Sequence, residues 1–99
     1  MEQVKPFGLP GEHVVVTSSY VTKKREAVRE VSHQYDEEEG DVWQFHVGNG
    51  DYDPAIIELV TLEQILRIAP ELLNLPDVPR GWVAKRGDPS SSWVLERDE

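Results

Sequence analysis

Short β-branched and aromatic runs, separated by turn-forming residues, dominate the hydrophobic pattern of this chain. His13-Val-Val-Val-Thr17, Val42 to Val47, Ile56-Ile-Glu-Leu-Val60, Trp82 to Arg86 and Trp93 to Glu96 each read as a strand. One segment changes period: Leu62, Ile65, Leu66 and Ala69 fall on a single helical face. Thr61 precedes it with Gln64 three residues on, the spacing of a capping box, and Pro70 limits or kinks the helix. Glu71-Leu-Leu-Asn74 adds a further turn. Leu75-Pro-Asp-Val-Pro79 carries two prolines, which fix φ and remove backbone donors, so this span is an extended connector.

Arg25 to Tyr35 is ambiguous by pattern. Val28, Val31 and Tyr35 recur at helical spacing, whereas Val31, His33 and Tyr35 alternate as in a strand. We adopt the strand, because the turn-like Asp36-Glu-Glu-Glu-Gly-Asp41 and the Val42 strand that follow it complete a hairpin. The register expected for it sets Tyr35 opposite Trp43, His33 opposite Phe45 and Val31 opposite Val47. Ser32, Gln34, Gln44 and His46 then occupy the more polar face. Ser18 to Lys24 reads as a turn and short connector, and Gly48-Asn-Gly-Asp-Tyr-Asp-Pro54 as a loop. Met1 to Glu12 is a loose N-terminal arm, and residues 13–99 form one domain. The expected fold class is α+β: a small antiparallel or mixed sheet of about five to six strands, with one main helix packed on one face.

At 99 residues, 38% of them hydrophobic and three of them Trp, the chain has material for one modest core. Trp43, Trp82 and Trp93 all lie in strand-like runs and are expected in or against it. No apolar run spans a bilayer, and the first residues do not read as a secretory signal. The absence of Cys agrees with a reducing compartment, so the expected location is the cytoplasm.

Charge adds more. The net charge is −9, and it is unevenly spread. Up to Tyr35, Glu2, Glu12, Glu26 and Glu30 face Lys5, Lys23, Lys24, Arg25 and Arg29, so the acidic excess lies entirely beyond that point. Such a field repels phosphate backbones and favours basic protein partners. Nucleic acid and membrane are therefore not expected as partners. Asp36, Glu37, Glu38, Glu39 and Asp41, together with Asp51 and Asp53, are the candidate partner-binding residues. The competing role for a charged hairpin tip is to prevent edge association and aggregation.

Candidate chemistry is sparse. His33 and His46, with Asp51 or Asp53 nearby, are the raw material of a metal site, but their spacing fits no ligand motif and the two His fall on opposite faces. His33 is expected to be packed and hydrogen-bonded, and His46 to lie at the surface. The serines lack a nucleophile-elbow context, and Gly48-Asn-Gly50 is too short to cradle phosphate. No catalytic residue, metal or cofactor is assigned.

Val14-Val-Val-Thr-Ser-Ser-Tyr-Val21, Val31-Ser-His33, Trp43-Gln-Phe45, Leu59-Val-Thr-Leu-Glu63 and Leu75-Pro-Asp-Val-Pro-Arg-Gly-Trp82 together resemble a family of small bacterial proteins. These are domain-of-unknown-function proteins related to the thirty-third class of polymorphic-toxin immunity proteins. The resemblance runs from about His13 to Trp93. It departs at Lys23-Lys-Arg-Glu26, where the family has a small Gly-containing linker, and at Gly40-Asp41-Val42, where it has Asp-Gly. The resemblance implies a non-catalytic domain without cofactor that binds and blocks a cognate toxin or enzyme. The alternatives are a stand-alone regulatory or structural domain, such as a homodimer joined through a sheet edge, and a small hydrolase or metal protein using His33 or His46.

Overall fold

The computed structural model describes residues 9–88 and 90–97. Six strands form one mixed sheet in the order β4-β1-β3-β2-β5-β6. In chain order these are β1 (Val14–Ser18), β2 (Glu30–Asp36), β3 (Gly40–His46), β4 (Ile57–Thr61), β5 (Trp82–Lys85) and β6 (Val94–Arg97). Strands β1 and β3 run parallel, and every other neighbouring pair is antiparallel. The main helix α2 (Leu62–Ile68) follows β4, and a 3-10 turn, Pro70–Asn74, follows α2. The expected α+β class holds.

The sheet alternation decides which side is dry. Val15, Val31, Phe45 and Ala84 point to one face and are buried together with Leu62, Ile65 and Ala69 of α2 and Leu72 of the 3-10 turn. Burying Phe45 or Leu62 contributes on the order of 2–3 kcal/mol each. Thr17 also points to that face, and its hydroxyl is satisfied by donating to the Phe45 carbonyl at 2.8 Å. Trp43 is buried, whereas Trp82 and Trp93 pack on the core from its margin.

Helix α2 begins as its sequence dictates. The Thr61 hydroxyl accepts from Gln64 N and the Gln64 side chain accepts from Thr61 N, so two orphan donors are satisfied reciprocally. Pro70, which has no backbone N–H to donate, stands just past its C-cap, Ala69.

Three expectations are corrected. Ser18 to Lys24 is more than the expected turn and short connector: it holds a one-turn α-helix, α1 (Ser19–Thr22), whose Val21 is fully buried in the core, and the chain leaves it through Arg25 at φ 56°. His46 is not at the surface: it is 4% exposed, its ring edge-on to Tyr52. The third is the hairpin register. Val31 faces Phe45, His33 faces Trp43 and Tyr35 faces Asp41, two residues from the expected pairing along β3. The turn is tighter than expected, because Asp36 pairs with Gly40 and leaves only Glu37, Glu38 and Glu39 in the loop. A shift of two preserves the alternation, so the aromatics stay on the buried face.

Gly40 makes that closure possible. Its φ of 82° lies in the region where a Cβ is strained. The Asp36 carboxylate stabilises the same turn by accepting from the backbone of Glu38 and Glu39 at 2.7 and 3.1 Å. Nothing lies within 4 Å of a Cβ placed on Gly40, so substitution there tests backbone conformation alone. Gly40→Ala is expected to cost about 1–2 kcal/mol in urea unfolding without changing the far-UV spectrum.

Beyond β5 the chain is fastened by a buried cation. The Arg86 side chain is 4% exposed. Its Nε and Nη2 both donate to the Val28 carbonyl, at 3.0 and 2.8 Å. Its guanidinium lies 4.4 Å from the centre of the Trp93 ring and 3.6 Å from the Glu71 carboxylate. One planar group thus ties the segment before β2 to the 3-10 turn and to the start of β6. Arg86→Leu is expected to destabilise the fold by about 2–3 kcal/mol, because the Val28 carbonyl loses both its donors in a dry site. Arg86→Lys, lacking the fork, should recover less than half of that loss in the same unfolding measurement.

Candidate functional site

The acidic candidates are divided between the two ends of β3. Asp36, Glu37, Glu38 and Glu39 form the exposed hairpin tip before it, and Asp51 and Asp53 lie in the loop after it. A strand of seven residues separates the two groups by about 20 Å. They are two sites.

Within the second group the carboxylates hold the loop together. Asp51 accepts the Tyr20 hydroxyl at 2.8 Å, which ties the loop to α1 and holds the Asp51 carboxyl below its ordinary range. The Tyr20 hydroxyl is correspondingly pushed up. Asp53 caps the Pro54–Ile56 turn by accepting from Ala55 N. Among the described residues, His33, His46, Asp51 and Asp53 do not gather: no group of three or more His, Asp or Glu side chains is placed to hold a metal ion. His46 donates from Nε2 to the Gln44 side chain at 2.9 Å, and burial pushes its pKa down, with Glu30 opposing.

Asp41 belongs to neither group. It sits on β3 in phase with Trp43 and Phe45, so its carboxylate points to the helix-bearing face. There it receives Arg80 as a two-pronged donor, Nε at 2.8 Å and Nη2 at 3.2 Å, and His33 Nε2 at 2.7 Å. The other ring nitrogen, His33 Nδ1, donates to the Val78 carbonyl at 2.7 Å. The ring stacks on Trp43 at 4.1 Å, and the Arg80 guanidinium covers Tyr35 at 4.0 Å. His33, Asp41 and Arg80 therefore clamp the proline-rich connector onto the sheet. Both His33 nitrogens are engaged by acceptors of the fold, so this His–Asp pair offers no ring nitrogen to a substrate proton.

The sequence held a signal for this clamp. Alternation from Trp43 and Phe45 places Asp41 on the inward face, where a carboxylate needs a cation. Its placement at the tip followed from reading the acids as one run. The cation, Arg80, comes from a segment 39 residues away, and no local pattern links the two.

Three candidates have neither an ion pair nor a side-chain hydrogen bond among the described residues. They are Glu37, Glu38 and Glu39, all exposed. Beside them, on the sheet face opposite α2, lies a groove of about 330 Å³ lined by His13, Val14, Val16, Glu39, Asp41, Val42 and Leu59. The His13 ring, part of this lining, donates to the Asp41 carbonyl at 3.0 Å.

Comparison with family models, with curated proteins and with solved structures finds no match to this chain. The likeness to immunity proteins rests on the quoted segments alone. Among the described residues no helix is long and apolar enough to cross a membrane.

The clamp has a pH signature. Arg80 first, and then His33, hold the Asp41 carboxyl down from 3.8 to about 2. A carboxyl lowered on folding contributes stability above its unfolded value, and that stability is lost as pH falls through the folded value. Stability should therefore drop between about pH 4 and 2, by about 1–2 kcal/mol once screening of the exposed Arg80 is allowed for. In Asp41→Asn this part of the acid limb should disappear from urea-unfolding curves recorded across that range.

Proposed function

We propose that this chain is a non-catalytic protein-binding domain that captures a basic protein, in the manner of an immunity protein blocking a toxin or enzyme. One observation carries the reading: three consecutive glutamates stand exposed and unneutralised at the tip of a closed hairpin, in a chain of net charge −9. Neighbouring carboxylates are consumed by the fold, Asp41 by Arg80 and His33, Asp51 by Tyr20 and Asp36 by the turn backbone. Among the described residues the tip acids have no such internal use. A fixed cluster of like charge accelerates encounter with a basic surface and discriminates against acidic ones. The resemblance to immunity proteins supports the blocking role, and the engaged nitrogens of His33 support a non-catalytic one.

The immobilised chain should capture a basic protein from a lysate of its own source at about 0.05 M salt and release it at about 0.5 M, where screening shortens the reach of surface charge. Added back, the chain should abolish the captured protein's activity. The combined variant Glu37→Gln, Glu38→Gln, Glu39→Gln should capture markedly less. Equal capture by that variant, or capture indifferent to salt, would refute the reading.

A further inference from the structure

Among the described residues the helical elements of the core pack on one face of the sheet, and the opposite face carries an apolar strip. The pairing Val16 to Leu59 on β4 and Val16 to Gln44 on β3 sets Val14, Val16, Val42 and Leu59 side by side on that face. None of the four belongs to the core or packs against it. Val14 is 56% exposed and Leu59 69%. Scattered exposed apolar residues need no explanation, but four adjacent ones lining a groove do. The strip lies at the end of the sheet where the hairpin turns, so Glu39 lines the same groove and Glu37 and Glu38 stand beside it.

Resting on the binding role proposed above, we propose that this groove is the docking surface, and that its occupant is a protein segment presenting an apolar side chain flanked by Lys or Arg. The apolar strip takes the anchor, which is the part of an interface that carries most of its energy. The three glutamates form a rim whose charge selects the flanking cations. Charge also decides between occupants. A second copy would bring another −9 against the same acidic end, and a nucleic acid would bring phosphates. Asp41 contributes backbone to the groove, but its carboxylate is already matched by Arg80 and adds nothing to the rim. The occupant must therefore answer the free charge of Glu37, Glu38 and Glu39.

The test is selection of short random peptides displayed on phage against the immobilised full chain, followed by fluorescence anisotropy with the selected peptides. The expected peptides share an apolar residue beside Lys or Arg. Their affinity should fall by about tenfold in Leu59→Asp and in Val14→Asp, the loss typical of a truncated anchor. It should fall several-fold in the triple Glu→Gln variant and stay unchanged in Leu73→Asp, which alters an exposed leucine of the Pro70–Asn74 turn on the helix-bearing side. Circular dichroism confirms that each variant is folded, and Val14 and Leu59 report independently from different strands. Peptides that bind Leu59→Asp and Val14→Asp as tightly as the parent would overturn the docking surface while leaving a binding role intact. Acidic peptides, or none above background, would overturn both. A concentration-dependent dimer abolished by Leu59→Asp would make a second copy the occupant and overturn the proposal.

Discussion

Closure of the β2–β3 hairpin through a three-residue loop is the constraint on which the rest of this structure depends. Gly40, at φ 82°, lets Asp36 pair directly with Gly40, and that pairing fixes every partner along the two central strands. Because side chains alternate, the same register turns Asp41 inward beneath His33 and leaves Glu37, Glu38 and Glu39 outside. A run of acids that looks uniform in the sequence is thereby split. One member becomes part of the clamp on the connector, one organises the turn, and three remain as surface charge. Any role for the acidic end begins from that division.

The clamp and the buried Arg86 solve a problem common to small domains. A 99-residue chain buries a limited apolar core, so segments without regular structure need specific polar fasteners. The connector from Leu75 to Pro79 has few backbone donors of its own. It is held through the Val78 carbonyl, the buried Val78 side chain and the ion pair of Arg80. Residues 25–29 are held through the Val28 carbonyl, which takes two hydrogen bonds from one guanidinium. Both fasteners use planar side chains that donate through two nitrogens at once, and both lie against an aromatic ring. Among the described residues the other face of the sheet is buried at His46 and Val83 but exposed at Val14 and Leu59, and the apolar strip there lies next to the unneutralised charge.

Much of the fold was legible from period and punctuation. The β-branched runs mark the strands, and the Thr61–Gln64 spacing marks the start of α2. Alternation assigns the correct side chains to the buried face even where the register was expected two residues away. What local pattern could not supply was anything set by distant segments. α1 forms because Val21 finds the core, not because its four residues favour a helix. His46 is buried by neighbours such as Tyr52 that the strand pattern does not reveal. The parallel contact between β1 and β3 likewise needs the whole sheet. The candidate site was legible as charge but not as geometry. Composition marked the acids, while Asp41 parts from the glutamates because β3 starts at Gly40 and not at Val42, which extends the inward alternation of Phe45 and Trp43 to it.

The register is accordingly the quantity to measure first. Cross-strand backbone nuclear Overhauser effects in the isotopically labelled chain report it directly. Contacts between His33 and Trp43 and between Tyr35 and Asp41 are expected. Contacts pairing Tyr35 with Trp43 and His33 with Phe45 would instead place Asp41 in the turn with the glutamates, and would contradict both the clamp and the division of charge drawn from it.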